Sequence, residues 1–248
     1  MGEIITNISE TFDSKRVYFY ECDYKNRLKL SEILKLSAEL AGHDYTEKGL
    51  SHEFLWENGM VFLVSKVSFH IFEYPKNQDK LLSSTWEKGK RGAMFLRGFE
   101  IRGAGGGRKY VEGTAGWVLV NPKTRHIIKP KNFPYNMPQI MDRECKALDI
   151  GKISSKNLNV LGKREVRLSD LDGNGHVYNG NYADMAVDVI SQQLFEQNVE
   201  NFRINFISEA ILGDIIDIYG EIEENKVILI GKICDKPCFE TEIIFRRK

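Results

Sequence analysis

One pattern occurs twice in this chain, and it limits the possible folds more than any other feature. Val17-Tyr18-Phe19-Tyr20-Glu21-Cys22-Asp23 is a β-prone run leading into Tyr24-Lys25-Asn26-Arg27-Leu28. Val166-Arg167-Leu168-Ser169-Asp170-Leu171-Asp172 is a similar run leading into Gly173-Asn174-Gly175-His176-Val177. The two align without a gap, with Glu21 on Asp170, Asp23 on Asp172, Lys25 on Asn174, Arg27 on His176 and Leu28 on Val177. A helical stripe follows each: Leu30, Ile33, Leu34, Ser37 and Ala41, then Ala186, Val189, Ile190 and Leu194. Strand candidates come next. The first half offers Val61–Tyr74, Leu81–Lys88, Phe95–Arg102 and Tyr110–Val120, and the second offers Phe202–Ile207, Ile215–Ile222, Val227–Ile233 and Phe239–Arg246. A single helix per half has to cover one face of each sheet. The expected class is α+β, with two antiparallel sheets each wrapped around one long helix and packed as a pseudo-dimer.

Proline marks the join. Pro122, Pro130, Pro134 and Pro138 fall within a short stretch, and proline cannot donate to a sheet ladder. The expected division is 1–125, a linker over 126–162, and 163–248. Lys+Arg and Asp+Glu both number 35, so no overall basic excess favours nucleic acid. No apolar run approaches the ~20 residues of a membrane span. Met1–Asn7 lacks the basic and apolar parts of a secretory signal. Cys22, Cys145, Cys234 and Cys238 do not form a redox or zinc spacing. A reducing cytoplasm is the expected location, with no metal and no cofactor.

The chemistry concentrates in the second copy. Asp172, Asn174 and His176 put a carboxylate, a carboxamide and an imidazole at alternate positions. Gly173 and Gly175 let the backbone turn while these groups converge. The helix that follows brings free N–H groups and positive potential, which suit a developing oxyanion. Lys25 and Arg27 replace Asn174 and His176 in the first copy, as expected if one half kept a site and the other lost it. A polar capping turn is the plain alternative. A calcium loop is a second one, because Asp170-x-Asp172-x-Asn174-Gly175 matches the start of an EF-hand. Against it, the twelfth position is Asn181 rather than glutamate, and the entering segment reads as a strand.

Asp-Leu-Asp-x-Asn-x-His-Val-x-Asn resembles the core motif of the acyl-acyl-carrier-protein (acyl-ACP) thioesterases, double hotdog enzymes of plants and bacteria. Ser84–Lys88, Arg97–Ile101, Gly116–Arg125 and Phe69–Pro75 resemble other segments of that family in the same order. The resemblance implies a tandem hotdog fold and hydrolysis of fatty acyl-ACP, which ends chain elongation. It implies catalytic roles for Asp172, Asn174 and His176, and for Glu209 in Phe206-Ile207-Ser208-Glu209-Ala210. The family's neighbouring cysteine falls on Ala210, so a cysteine nucleophile is not available there. Plant members carry a plastid transit peptide, and no such composition precedes the first strand here, as expected of a bacterial cytoplasmic member.

The resemblance also implies that the first half houses the acyl chain. Trp56, Trp86, Trp117, Phe54, Phe62, Phe69 and Phe95 all lie there, and most are expected to pack the core. The expected partner is acyl carrier protein bearing a fatty acyl chain. Its acidity suits Lys88-Gly89-Lys90-Arg91 or Lys129-Pro130-Lys131 as docking patches. Gly103–Gly107 reads as a hairpin tip. An acyl-CoA hydrolase and a non-catalytic acyl-binding protein are the competing functions. Both a self-contained pseudo-dimer and a homodimer of such units are open.

Overall fold

The computed structural model describes residues 10–141, 143–153 and 157–247. Met1–Asn7, Asp142 and Ser154–Lys156 of the expected linker, and Lys248 lie outside the described residues. Among the described residues the elements run in the order β1 (Glu10–Arg16), α1 (Leu30–Glu47), α2 (His52–Glu57), β2 (Val61–Ile71), β3 (Lys80–Arg91), β4 (Met94–Gly103) and β5 (Lys109–Val120). The short β6 (Ile127–Ile128) follows, then β7 (Asn159–Glu165), α3 (Asn181–Asp188), α4 (Gln192–Phe195), β8 (Val199–Phe206), β9 (Ile215–Ile222), β10 (Lys226–Ile233) and β11 (Lys236–Phe245).

The strands form one sheet in the order β1-β3-β4-β5-β2-β8-β11-β10-β9-β7, with β6 added against β5. Read outward from the β2–β8 pair, the two sides have matching connectivity. The duplication seen in the sequence is therefore also a duplication of topology, and the tandem hotdog expectation holds. At the seam Val67 pairs with Ile204, Ser68 with Arg203 and Phe69 with Phe202. The Phe69 and Phe202 rings stack at 5.0 Å. Phe69, Phe202, Phe239 and Phe245 are fully buried in the joint core, and each such side chain contributes roughly 1.5–3 kcal/mol.

The two central helices differ. α1 has 18 residues, with leucine and glutamate the commonest and alanine beside them, all of which favour helix. α3 has only eight, which corrects the expectation of one long helix per half. Val187, Val189 and Ile190 are β-branched, and Ser191 accepts the Leu194 N–H at 3.2 Å and so starts the separate turn of α4.

A second correction concerns the repeated runs. Both contain 3-10 turns, Phe19–Glu21 and Leu168–Asp170, and the strands are the preceding segments β1 and β7. The hydrogen bonds of the two turns correspond. Glu21 Oε2 accepts from Tyr18 N and Asp170 Oδ2 from Arg167 N. Asp23 Oδ1 takes the N–H groups of Lys25 and Arg27, and Asp172 Oδ1 those of Asn174 and His176.

The stretch after Asn121 is packed against the first half. β6 pairs Ile128 with Leu119, Phe133 joins Tyr45, Leu55 and Phe95 in a cluster, and Met141 N donates to Glu87 O at 2.8 Å. Gly103–Gly107 forms the β4–β5 tip as expected.

Candidate active site

Three loops meet where the second half faces the first. The 168–178 loop is closed by its own hydrogen bonds. Asp172 N donates to His176 O at 2.8 Å, Gly175 N donates to Asp172 O at 3.0 Å, and Gly175 adopts φ +79° to allow this. Val177 N then donates to Ala210 O at 2.9 Å and fastens the loop beside the turn after β8. That contact brings His176 Nε2 to 3.4 Å from Glu209 Oε2. Asp170, the first position of the calcium-loop reading, is buried and bonded to Arg164 and the Arg167 N–H instead.

Glu209 is held from its other side by Arg125, with Nη1 2.9 Å from Oε1. Arg125 ends the Asn121–Arg125 turn, in which Asn121 Oδ1 accepts from Lys123 N and Thr124 N and Arg125 takes φ +59°. The row Arg125–Glu209–His176 thus joins both halves. Sequence reasoning gave Arg125 no role. The signal available was the Asn-Pro-x-Thr-Arg turn, which places a guanidinium in an unusual backbone conformation.

Asp172, Asn174, His176 and Glu209 all line one cavity of about 1090 Å³. Asn174 is exposed at its mouth, and the His176 ring is 28% exposed. Further in, the wall passes to Leu34 and Ala41 of α1, Phe62 of β2, Phe95 of β4 and Trp117 of β5. Asp172 spends one oxygen on the backbone of its own loop. Its first service is therefore to shape the turn that carries Asn174 and His176. The α3 N-terminus sits behind the loop, where Gly180 packs against α1. A Cβ there would lie 3.2 Å from Ser31 O.

The aromatic residues of the first half divide. Phe62, Phe95 and Trp117 line the cavity, and Phe69 lies at the seam. Trp56 is 52% exposed and stacked on His52, so it is neither core nor cavity wall. Trp86 lies under Arg143, its ring 4.4 Å from the guanidinium carbon, beside a small polar pocket. In the suggested docking patches, Arg91 pairs with Asp149 and Lys88 donates to Thr114 Oγ1, while Lys90, Lys129 and Lys131 are exposed.

The model of the acyl-ACP thioesterase N-terminal domain matches residues 9–132, and that of the C-terminal domain matches residues 154–235. The chloroplastic acyl-[acyl-carrier-protein] hydrolase FATB3 of Cuphea viscosissima is 28% identical over 180 residues, covering 67% of this chain. The chain spans less than half of that relative, 42% of its length. An acyl-ACP thioesterase from Bacteroides thetaiotaomicron superposes with a TM-score of 0.87 at 19% identity, covering 96% of this chain and 98% of that one. The 12:0-ACP thioesterase of Umbellularia californica gives a TM-score of 0.75 at 15% identity, covering 96% and 98%. At these identities the two structures speak for the fold. The matched domains account for both halves, in order and across the loop that carries Asp172, Asn174 and His176, and the chain belongs to the acyl-ACP thioesterase family.

Proposed function

We propose that this protein hydrolyses the thioester of fatty acyl-[acyl-carrier-protein] and releases the free fatty acid, ending chain elongation. The observation that carries this reading is the His176–Glu209 pair at the mouth of an apolar-walled cavity of about 1090 Å³. The first half supplies the acyl pocket and the second the catalytic loop.

Water is the nucleophile. His176 and Glu209 act as a unit that orients it and takes its proton as the oxygen bonds to the thioester carbonyl carbon. Asn174 donates to the resulting oxyanion, a contribution of ~10²–10³ in rate for a donor of this kind. The C–S bond then breaks, and the thiolate of the carrier's prosthetic arm leaves and takes up the proton. Thiols of pKa ~8.5 leave readily, so the step needs no metal or cofactor. Asp172 holds the loop in the geometry this requires.

All four residues and the cavity wall come from one chain, so the proposed site is complete in a single copy. A non-catalytic acyl-binding protein would have no use for an imidazole–carboxylate pair at the cavity mouth. No described helix is long and apolar enough to cross a membrane. We place the protein in the cytoplasm, a reducing compartment that suits its four free thiols. Thiol release from acyl-ACP and from acyl-CoA carrying the same chain is the deciding experiment. Faster release from the carrier protein is expected, equal or faster release from CoA would reassign the partner, and no release from either would refute the hydrolase reading.

A further inference from the structure

The cavity does not stay apolar to its end. Beyond Phe62 and Phe95 its wall includes Glu87 of β3 and Arg97 of β4, which face each other across the strand pair. Glu87 is 1% exposed and Arg97 3%. Alternation along β3 sends Trp86 outward beneath Arg143 and Glu87 inward toward α1. The ladder slips between Glu87 and Gly89, and such bulges commonly re-aim a side chain near a site.

Behind this wall the charges are well satisfied. Asp44 accepts from Thr11 Oγ1 at 2.6 Å and from Arg97 Nη1 at 2.7 Å, and it pairs with Lys48. Asp44, Lys48 and Thr11 do not reach the cavity surface. Glu87 differs. Its partners are Arg97 Nη2, at 3.3 Å, and the Tyr45 phenol, and these leave hydrogen-bonding capacity on the buried carboxylate unused. Arg97 Nε also has no acceptor among the described residues. Burial pushes the Glu87 carboxyl above the usual range, with Arg97 opposing. A hydrocarbon chain lying here would leave Arg97 Nε without an acceptor and Glu87 with only its Arg97 and Tyr45 contacts, which is costly for buried groups. A hydroxyl group serves both, because it donates to the carboxylate and accepts from the guanidinium.

We propose that Glu87 and Arg97 form a polar subsite at the inner end of the cavity, and that the acyl chain it receives carries a hydroxyl in its distal part. This rests on the thioesterase reading above. Four strand spacings, roughly 19 Å along the curved sheet, separate β8, which leads into Glu209, from β3. The hydroxyl is therefore remote from the thioester. Glu87 and Arg97 are specificity-determining residues that take no part in the bond cleavage.

The test compares ω-hydroxyacyl-ACP with unsubstituted acyl-ACP over chains from dodecanoyl to octadecanoyl. At the best length the hydroxylated chain should show roughly tenfold higher kcat/KM, the size of one satisfied buried hydrogen bond. Glu87→Leu should abolish the preference, and Glu87→Gln, which still hydrogen-bonds, should keep much of it. The proposal is overturned if the wild-type protein prefers the plain chain at every length, or if a folded Glu87→Leu protein still prefers the hydroxyl. Should Glu87→Leu not fold, the wild-type and Glu87→Gln comparisons decide. Calorimetry with the free ω-hydroxy and plain fatty acids separates this from the reading beneath it. Tighter binding of the hydroxy acid with no hydrolysis of any thioester would refute the hydrolase and keep the subsite, whereas equal binding would remove the subsite.

Discussion

Arg27 stands in the first half where His176 stands in the second, each with its backbone N–H on Oδ1 of the aspartate four residues earlier. The neighbouring loops also correspond, because Leu28 N donates to Pro75 O as Val177 N donates to Ala210 O. Tyr74 therefore stands where Glu209 does. His176 faces Glu209 at the cavity mouth. Arg27 lies 5.0 Å from the centre of the Tyr74 ring, binds Asp23, and donates to the carbonyls of Gln197 and Phe195. One copy of the loop lines a cavity, and the other is a buried strut that reaches into the second half.

His176→Ala and Glu209→Gln should each lower turnover by roughly 10²–10⁴-fold. Both side chains are partly exposed, so the thermal midpoint should stay close to that of the wild type. Thiol release and a melting curve on the same preparation check this. Full activity in either variant would falsify the assignment.

Arg27→Ala should do the reverse. The side chain is 5% exposed and balances Asp23, and removing one partner of a buried pair costs about 3–5 kcal/mol. The urea midpoint should fall markedly, while kcat of the remaining folded protein stays near wild type. A kcat loss as large as that of His176→Ala would show that the first copy still takes part in the reaction.

Arg125→Ala should lower kcat by less than tenfold, because its pair with Glu209 is exposed and screened. Salt provides the check. Wild-type turnover should decline as ionic strength rises, and that of the variant should respond less.

Gly113→Ala should destabilise the first half by about 1–3 kcal/mol. A Cβ at this position would lie 2.3 Å from Phe99 Cζ and 2.6 Å from the Ser68 carbonyl, and the backbone cannot yield. Chemical denaturation measures the loss, and an unchanged midpoint would contradict the packing described here.

Burial pushes the Cys238 thiol up to about 11, from an ordinary value of 9.0. Between those pH values the unfolded chain has lost this proton while the folded chain keeps it. The folded state then binds more protons, and stability falls as pH rises through the window. The urea midpoint of the wild type should drop more between pH 9 and pH 11 than that of Cys238→Val. Equal slopes would show that another group governs the decline.

The repeat and most strands were legible because their side chains alternate between core and solvent, which leaves a period in the sequence. β1 and β7 were not. They are edge strands, each paired on one side only, and Glu-Thr-Phe-Asp-Ser-Lys-Arg has too little apolar character to announce itself. The β-prone run after β1 misled for the converse reason, since Phe19 and Tyr20 are 81% and 72% exposed in a turn. Asp172, Asn174 and His176 could be singled out because three polar types converge over a few residues between glycines. Their relation to Glu209, Arg125, Glu87 and Arg97 depends on sheet register, which no local pattern encodes. Asp44 shows this most plainly. It continues the Leu30–Ala41 stripe and so falls on the buried face of α1, but the groups that satisfy it there, Thr11 on β1 and Arg97 on β4, cannot be read from the helix pattern.

The β2–β8 seam has a consequence for how this protein behaves when scarce. Two modules that met as separate chains would drift apart on dilution, and their shared pocket would open with them. Here the same contact is tethered, so its effective concentration is set by the connecting chain and not by the number of molecules present. Specific activity should therefore hold constant down to the lowest enzyme levels an assay can read.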